Sequence, residues 1–356
     1  MSFWTDEEEK ILREQYPTIK RTKDMLFLLP NKTYPAIICR AFVKGIKRPE
    51  KYSKNENFFE IPNLLNSYWV GFLNGDAHLM EDRFGKISKI EIGLKIETKY
   101  HLERFRSDTS SNFLVTTRST ISVINTVRNK NKEKREYFKA EIICYKTQKW
   151  GEDLGRNWSV VGGKKTFRIA YPPKELTIEN MLAFLKGEID SDGTIYFNIT
   201  KFKLKNGQTA EQKNMFIVFL GTKSLLDGIK LFVEKVLKRK VRGKVNLERP
   251  DSKIYRFGVA SSNALQLFNI LKSIETPEIK AKWENPKILG YIEEQKIKNP
   301  HLFDYKLTEE ELKEPNNIVV NIKDEIIDLN VERPESPAAF EQISQIPEKT
   351  VINIAA

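Results

Sequence analysis

The stretch LKGEIDSDG, residues 185–193, decides how the rest of the chain is read, because WVGFLNGDA at 69–77 is built the same way. Each combines apolar residues at helical spacing with a central glycine and an aspartate near the end. On a helix Gly71 and Gly75 share one face, as do Gly187 and Ser191, so two such helices can pack with their backbones almost touching. Val70, Leu73, Leu185 and Ile189 would fill the seam. Asp76 and Asp192 then close the two helices. A helix C-terminus already carries roughly half a negative charge, so a carboxylate there is unfavourable unless something positive binds. Two such ends side by side call for a shared cation.

The similarity extends beyond the helices. Asp76 and Asp192 lie 116 residues apart, and a strand pair and a second repeated phrase follow each: IETKYHLERF at 96–105 and LGTKSLLDGI at 220–229. Hairpins come next, STISVINTVRN with REYFKAEIICY in the first half and KVRGKVNLER with IYRFGVASS in the second, each leading into a helix. Three matched features in one order argue for duplication. The expected fold is α+β, with two αββαββα halves at 64–175 and 176–300 whose antiparallel sheets form a saddle. A linker occupies 51–63.

Composition narrows the chemistry. The chain has two cysteines, Cys39 and Cys144, and three histidines among 356 residues, too few soft ligands for a structural zinc site or a disulfide framework. A catalytic metal would be held by carboxylates, which points to Mg2+ or Mn2+. No apolar run approaches a membrane span and the acidic N-terminus is unlike a signal peptide, so a soluble cytoplasmic protein with no membrane partner is expected. The net charge of +12 conceals an asymmetry. Residues 301–356, read as an acidic tail, carry five Lys and Arg against twelve Asp and Glu, a net −7 that leaves +19 on residues 1–300. A field of that size attracts a polyanion.

Residues 1–50 read as three short helices, the last of them, TYPAIICRAFVKGIKR, placing Ile37, Ile38 and Ala41 inward and Arg40, Lys44, Lys47 and Arg48 outward or beyond its end. A trihelical unit with a basic last helix suits the major groove. Through Trp4, DEEEKILRE and AIICRAFVKGIKR the segment resembles a Myb or SANT-like helix-turn-helix.

WVGFLNGDA and LKGEIDSDG resemble the two signature helices of a LAGLIDADG homing endonuclease of the monomeric, duplicated kind. The second copy matches closely at Gly187, Asp190, Asp192 and Gly193. The first departs, with Asn74 at the earlier acidic position and Ala77 in place of the closing glycine. The resemblance implies that Asp76 and Asp192 are catalytic and coordinate metal. It also places Lys165, in GGKKTFRIAYP, near the active site, with Lys282 in PEIKAKW as its counterpart, and puts Lys99 and Lys223 at strand ends where polar residues order solvent around the metals. A saddle over double-stranded DNA would bring Arg118, Arg128, Lys201, Lys203, Lys205, Arg242, Lys244 and Arg256 to phosphates or base edges.

The implied activity is sequence-specific, metal-dependent cleavage of both strands at a long site, by a monomer with pseudo-two-fold symmetry encoded on a mobile element and associated with the nucleoid. The rival is a DNA-binding regulator or RNA maturase on the same fold that has lost cleavage. Both aspartates favour cutting, since a mere binder has no use for two carboxylates set against phosphate.

Overall fold

The computed structural model describes residues 4–19, 22–47, 52–124, 133–163, 169–203, 207–250 and 252–320. Arg48, Arg128, Lys165 and Lys205 lie outside the described residues, as does everything beyond Val320. No helix among the described residues is long and apolar enough to cross a membrane.

Three short helices come first: α1 (Asp6–Gln15), α2 (Met25–Leu28) and α3 (Tyr34–Val43). A capping box starts α1, the Thr5 hydroxyl accepting from the Glu8 amide while Glu8 accepts from the Thr5 amide. Thr33 caps α3, and Pro35 sits in its first turn, where no amide donor is missed. Leu12, Met25, Leu29, Ile37 and Ala41 form a small core of their own. Ile38, expected inside, is 38% exposed. One position adds about 100° of rotation on a helix, which carries Ile38 off the stripe shared by Ile37 and Ala41.

The body repeats one pattern twice. Its first half is α4 (Leu64–Asp76), β1 (Ala77–Glu81), β2 (Ile87–Lys95), α5 (Lys99–Asp108), β3 (Val115–Ile124), β4 (Glu133–Tyr145) and α6 (Gln148–Trp158). The second is α7 (Ile178–Asp190), β5 (Thr194–Lys203), β6 (Thr209–Gly221), α8 (Lys223–Val236), β7 (Asn246–Leu247), β8 (Tyr255–Ala260) and α9 (Ser261–Ser273). Both are αββαββα, and the strand orders correspond: β1-β2-β4-β3 and β5-β6-β8-β7, antiparallel throughout. The chain is α+β and duplicated.

Alternation along the strands separates two faces of each sheet. Ile90, Ile92, Ala140, Ile142 and Cys144 of the first sheet are buried, as are Ile195, Met215, Ile217, Phe257 and Val259 of the second, and all belong to one continuous core. The other face of each sheet is open. Between the halves, α4 and α7 are buried over most of their length, α7 at every residue except Glu179.

Two expectations change here. The run KVRGKVNLER was read as a strand, yet only Asn246 and Leu247 pair with β8. Upstream, the Val241 amide donates to Glu234 of α8 at 3.0 Å, and Gly243 lies so near the Gly258 carbonyl that a Cβ would stand 2.2 Å from its oxygen. That segment is held against a helix and a backbone instead of extending a ladder.

The stretch read as a tail from residue 301 also begins with structure. Tyr305 Oη donates to the Val236 carbonyl at 2.7 Å, α12 (Glu309–Lys313) follows α10 (Lys280–Trp283) and α11 (Pro286–Lys298), and the Ile178 amide donates to Glu314 O at 2.8 Å. Buried Asn316 donates to the carbonyls of Pro173 and Leu176.

Candidate active site

The site is made by the crossing of α4 and α7. A Cβ on Gly71 would lie 2.0 Å from the Phe184 carbonyl oxygen, and one on Gly187 would lie 2.0 Å from that of Tyr68. These are corresponding positions of the two repeats, so the contact is symmetric backbone against backbone. One turn further on, a Cβ on Gly75 would meet Ser191 Oγ at 2.3 Å and Asp192 Cγ at 3.1 Å. Asp192 therefore abuts the residue next to Asp76, and the two acidic ends converge.

The ends are not alike. Helix α4 runs through Asp76 and passes straight into β1. Helix α7 stops at Asp190, two residues short of the expected end at Asp192. Ser191 leaves helical geometry at ψ −93°, its hydroxyl turns back to Glu188 O, and the Gly193 amide donates to that same carbonyl. Gly193 is required there, because a Cβ would lie 2.6 Å from Ile189 Cα. Asp192 sits in the turn, exposed, while Asp76 is half-buried.

Lys282 brings positive charge to this end of α7. Its Nζ donates to the carbonyl oxygens of Ile189 and Asp190 at 2.7 Å and of Ser191 and Gly193 at 2.9 Å. The ammonium thus caps α7, with three protons shared among four acceptors. Burial holds its pKa below the ordinary lysine value, opposed by the charges of Asp190, Asp76 and Asp192. The helix-end conflict inferred from the sequence is relieved in part by this side chain.

Asp190 faces inward. It accepts from Tyr68 Oη at 2.7 Å, from the Ile279 amide at 2.9 Å and from Trp283 Nε1 at 2.6 Å. Burial raises its pKa to about 6 even though these donors and Lys282 pull the other way. With the Tyr68 proton directed at Asp190, His101 Nε2, 2.9 Å from the same phenol oxygen, is the donor to it. Burial lowers the His101 pKa to about 3, so the ring is neutral. The chain His101, Tyr68, Asp190, Trp283 fixes the segment carrying Lys282 against α7, and apart from Asp190 itself no motif pointed to it. At the corresponding position of the first repeat, Asn74 donates to Glu188 at 2.9 Å across the crossing.

The other expected residues fall as follows. Lys99 and Lys223 open α5 and α8 and pair with acids one turn on, Lys99 with Glu103 at 3.4 Å and Lys223 with Asp227 at 2.6 Å. Thr222, the α8 cap, lines a cavity of about 140 Å³ together with Gly75, Asn74, Glu188 and Asp192. On α3, Arg40 and Lys44 both pair with Glu9 of α1, Lys44 at 2.8 Å, while Lys47 is exposed. The outward surface of α3 is led by Phe42, 84% exposed. Arg118 and Arg256 project from the open faces of their sheets. Lys201 and Lys203 instead lie in step with Ile195 and Phe197, on the face turned towards the helices, where Lys213 of the next strand reaches Glu294 of α11. Arg242 and Lys244 are exposed on the segment before β7.

Among the described residues no cluster of three or more His, Cys, Asp or Glu side chains is suited to a metal. The two converging carboxylates do fit a hard cation such as Mg2+, which commonly takes one or two carboxylates and fills its remaining positions with water and substrate phosphate.

No family model and no curated protein matches the chain. Solved structures do. The LAGLIDADG meganuclease I-AabMI bound to uncleaved DNA aligns at 12% identity over 67% of this chain and 93% of its own, with a TM-score of 0.39. Meganuclease I-SmaMI bound to uncleavable DNA gives 11%, 67%, 96% and 0.41. The I-LtrWI LAGLIDADG homing endonuclease bound to target DNA gives 13%, 72%, 95% and 0.37. At such identities nothing about activity passes from those proteins to this one.

Proposed function

We propose that the chain is a sequence-specific DNA endonuclease that uses Mg2+ or Mn2+ and breaks both strands of a long double-stranded site. The observation that carries this reading is the convergence of Asp76 and Asp192 at the crossing of two buried helices, with an open sheet face on either half and +19 of formal charge on residues 1–300. One chain holds both halves, so the working unit is a monomer with pseudo-two-fold symmetry. Residues 1–50 serve as a helix-turn-helix DNA-binding domain joined by 51–63 to halves at 64–175 and 176–300. Homing of a mobile element is the role that suits a long, rarely occurring target.

Asp76 and Asp192 would hold the metal, which when bound polarises a phosphodiester and activates water. The protein's own work is positioning. The glycine contacts bring the carboxylates together. Lys282 neutralises the α7 carbonyls behind them, so that Asp192 is presented to solvent on a fixed turn. Asp190, held by three donors, anchors the segment that delivers Lys282. Lys99 and Lys223, at helix starts following the second strand of each half, are placed to order water or meet phosphate oxygens, and Lys165 belongs with them by sequence.

The test is a cleavage selection on a randomised duplex library with Mg2+, run beside Asp76→Asn and Asp192→Asn. Cleavage by the parent protein and loss of it in both variants, with DNA binding kept, supports the reading. Undiminished double-strand cleavage by both variants overturns it.

A further inference from the structure

Resting on the DNA-binding reading above, we propose that Arg118 is a base-reading residue that selects a guanine in the half-site beneath the first sheet. The open face of that sheet carries an uneven group of charges: Lys89 and Glu91 on β2, Lys139 and Glu141 on β4, and Arg118 on β3. Arg118 Nη2 donates to Glu141 at 2.7 Å and lies 4.0 Å from Glu91, Lys139 reaches Glu141 at 3.0 Å, and Lys89 reaches Glu91 at 3.0 Å. Lys139 is laid flat over Gly93, where a Cβ would stand 3.2 Å from its Nζ. Among these ion-paired residues three cations meet two carboxylates, a net +1, and Lys95 stands opposite Lys139 on the same face.

That balance is poorly suited to gripping a DNA backbone. A side chain recruited for phosphate is usually mobile and unpaired, so that it can neutralise an anion. Arg118 is neither. Its partner Glu141 has a side chain only 5% exposed, whereas Arg118 itself is 54% exposed. Drawing the guanidinium away to a phosphate would leave a buried carboxylate with Lys139 alone, a costly loss. Held in place, Arg118 commits one of its five N–H donors to Glu141 and, being 54% exposed, leaves other donors of its planar fork open to a ligand. The major-groove edge that accepts two parallel N–H donors is guanine, through N7 and O6. Glu141 is then a positioning residue, fixing the fork before DNA arrives.

The second sheet lacks this arrangement. Its open face has Tyr196 stacked on Phe216 at 5.2 Å, and Arg256 donates to Tyr196 Oη at 3.0 Å. A phenol is a neutral acceptor and leaves Arg256 able to turn to phosphate at little cost. The two half-sites are therefore read by different chemistry.

The experiment is a binding selection with the full chain on randomised duplex DNA in chelator, repeated with Arg118→Ala, Arg118→Lys and Glu141→Gln, followed by affinity measurements on the selected site. The parent protein is expected to require guanine at one position. Arg118→Ala loses that requirement, with affinity for the site down roughly tenfold to hundredfold and other positions unchanged. Glu141→Gln weakens the preference at the same position, and Arg118→Lys keeps the charge without restoring full discrimination. Replacing that guanine by 7-deazaguanine, which lacks the N7 acceptor, weakens the parent protein and leaves Arg118→Ala indifferent. If Arg118→Ala instead weakens all sequences alike and lowers the salt dependence by about one phosphate contact, Arg118 binds backbone and the proposal is overturned. If the parent protein selects no sequence at all, it is the DNA-binding reading itself that fails.

Discussion

Gly71 lies against the carbonyl oxygen of Phe184 so closely that a single added carbon would stand 2.0 Å from it. Neither backbone can yield without moving a buried helix. Gly71→Ala is expected to destabilise the protein by at least the upper part of the range for overpacked cores, about 1–3 kcal/mol. Gly290→Ala, on α11 where no atom lies within 4 Å of the added carbon, should be neutral or slightly stabilising. Urea midpoints for the two variants check this, and equal midpoints would contradict so close a crossing of α4 and α7.

Lys282→Met should lower thermal stability, because four carbonyls at the end of α7 lose their common donor. The expected cost is on the order of 1–3 kcal/mol, the penalty for buried groups left unsatisfied. Lys282→Arg should rescue little, since a planar fork cannot take the place of a compact ammonium among converging acceptors. Thermal melts of both variants decide the matter, and full rescue by arginine would mean that charge alone is at work.

Acid should weaken the fold through His101. Its pKa of about 3 in the folded chain lies below the unfolded value near 6.5, so the unfolded state binds the extra proton between them. The stabilisation is complete above pH 6.5 and is lost as pH falls towards 3. Asp190 works in the opposite direction, since its carboxyl, raised to about 6, makes folding more favourable as pH falls from 6 towards 3.8. The difference in stability between the parent protein and His101→Gln, followed by urea titration, should therefore shrink on acidification. A difference constant from about pH 7 to about pH 4 would show that the ring is not held neutral.

On α1, Glu9 pairs with both Arg40 and Lys44. Glu9→Gln should release them, raising nonspecific DNA affinity at low salt and steepening its salt dependence by about one to two phosphate contacts. An unchanged slope would remove α3 from the DNA-binding surface, leaving its exposed Phe42 and Val43 to some other use.

What could be read from the sequence was what periodicity and composition control. The glycine-bearing helices, the duplication and the helix-strand order all follow from spacing that a linear text preserves. Contacts between distant residues do not. Lys282 stands 91 positions from Ser191, and only folding shows that it caps α7.

Strand register is likewise set by folding. Lys201 and Lys203 share a face, as alternation requires, but which face depends on Ile195 and Phe197 pointing inward. Pairing is equally invisible in a linear text: Arg40 looks available until Glu9, 31 positions earlier, is found beside it.

The helix crossing is asymmetric where Gly75 meets Ser191, a step at which symmetry would have set matching residues opposite each other. Two separate copies of one repeat, related by a two-fold axis, would have to be self-complementary at every step. One chain carrying both halves removes that demand, so each flank need match only its neighbour, and the halves are free to diverge in what each contacts.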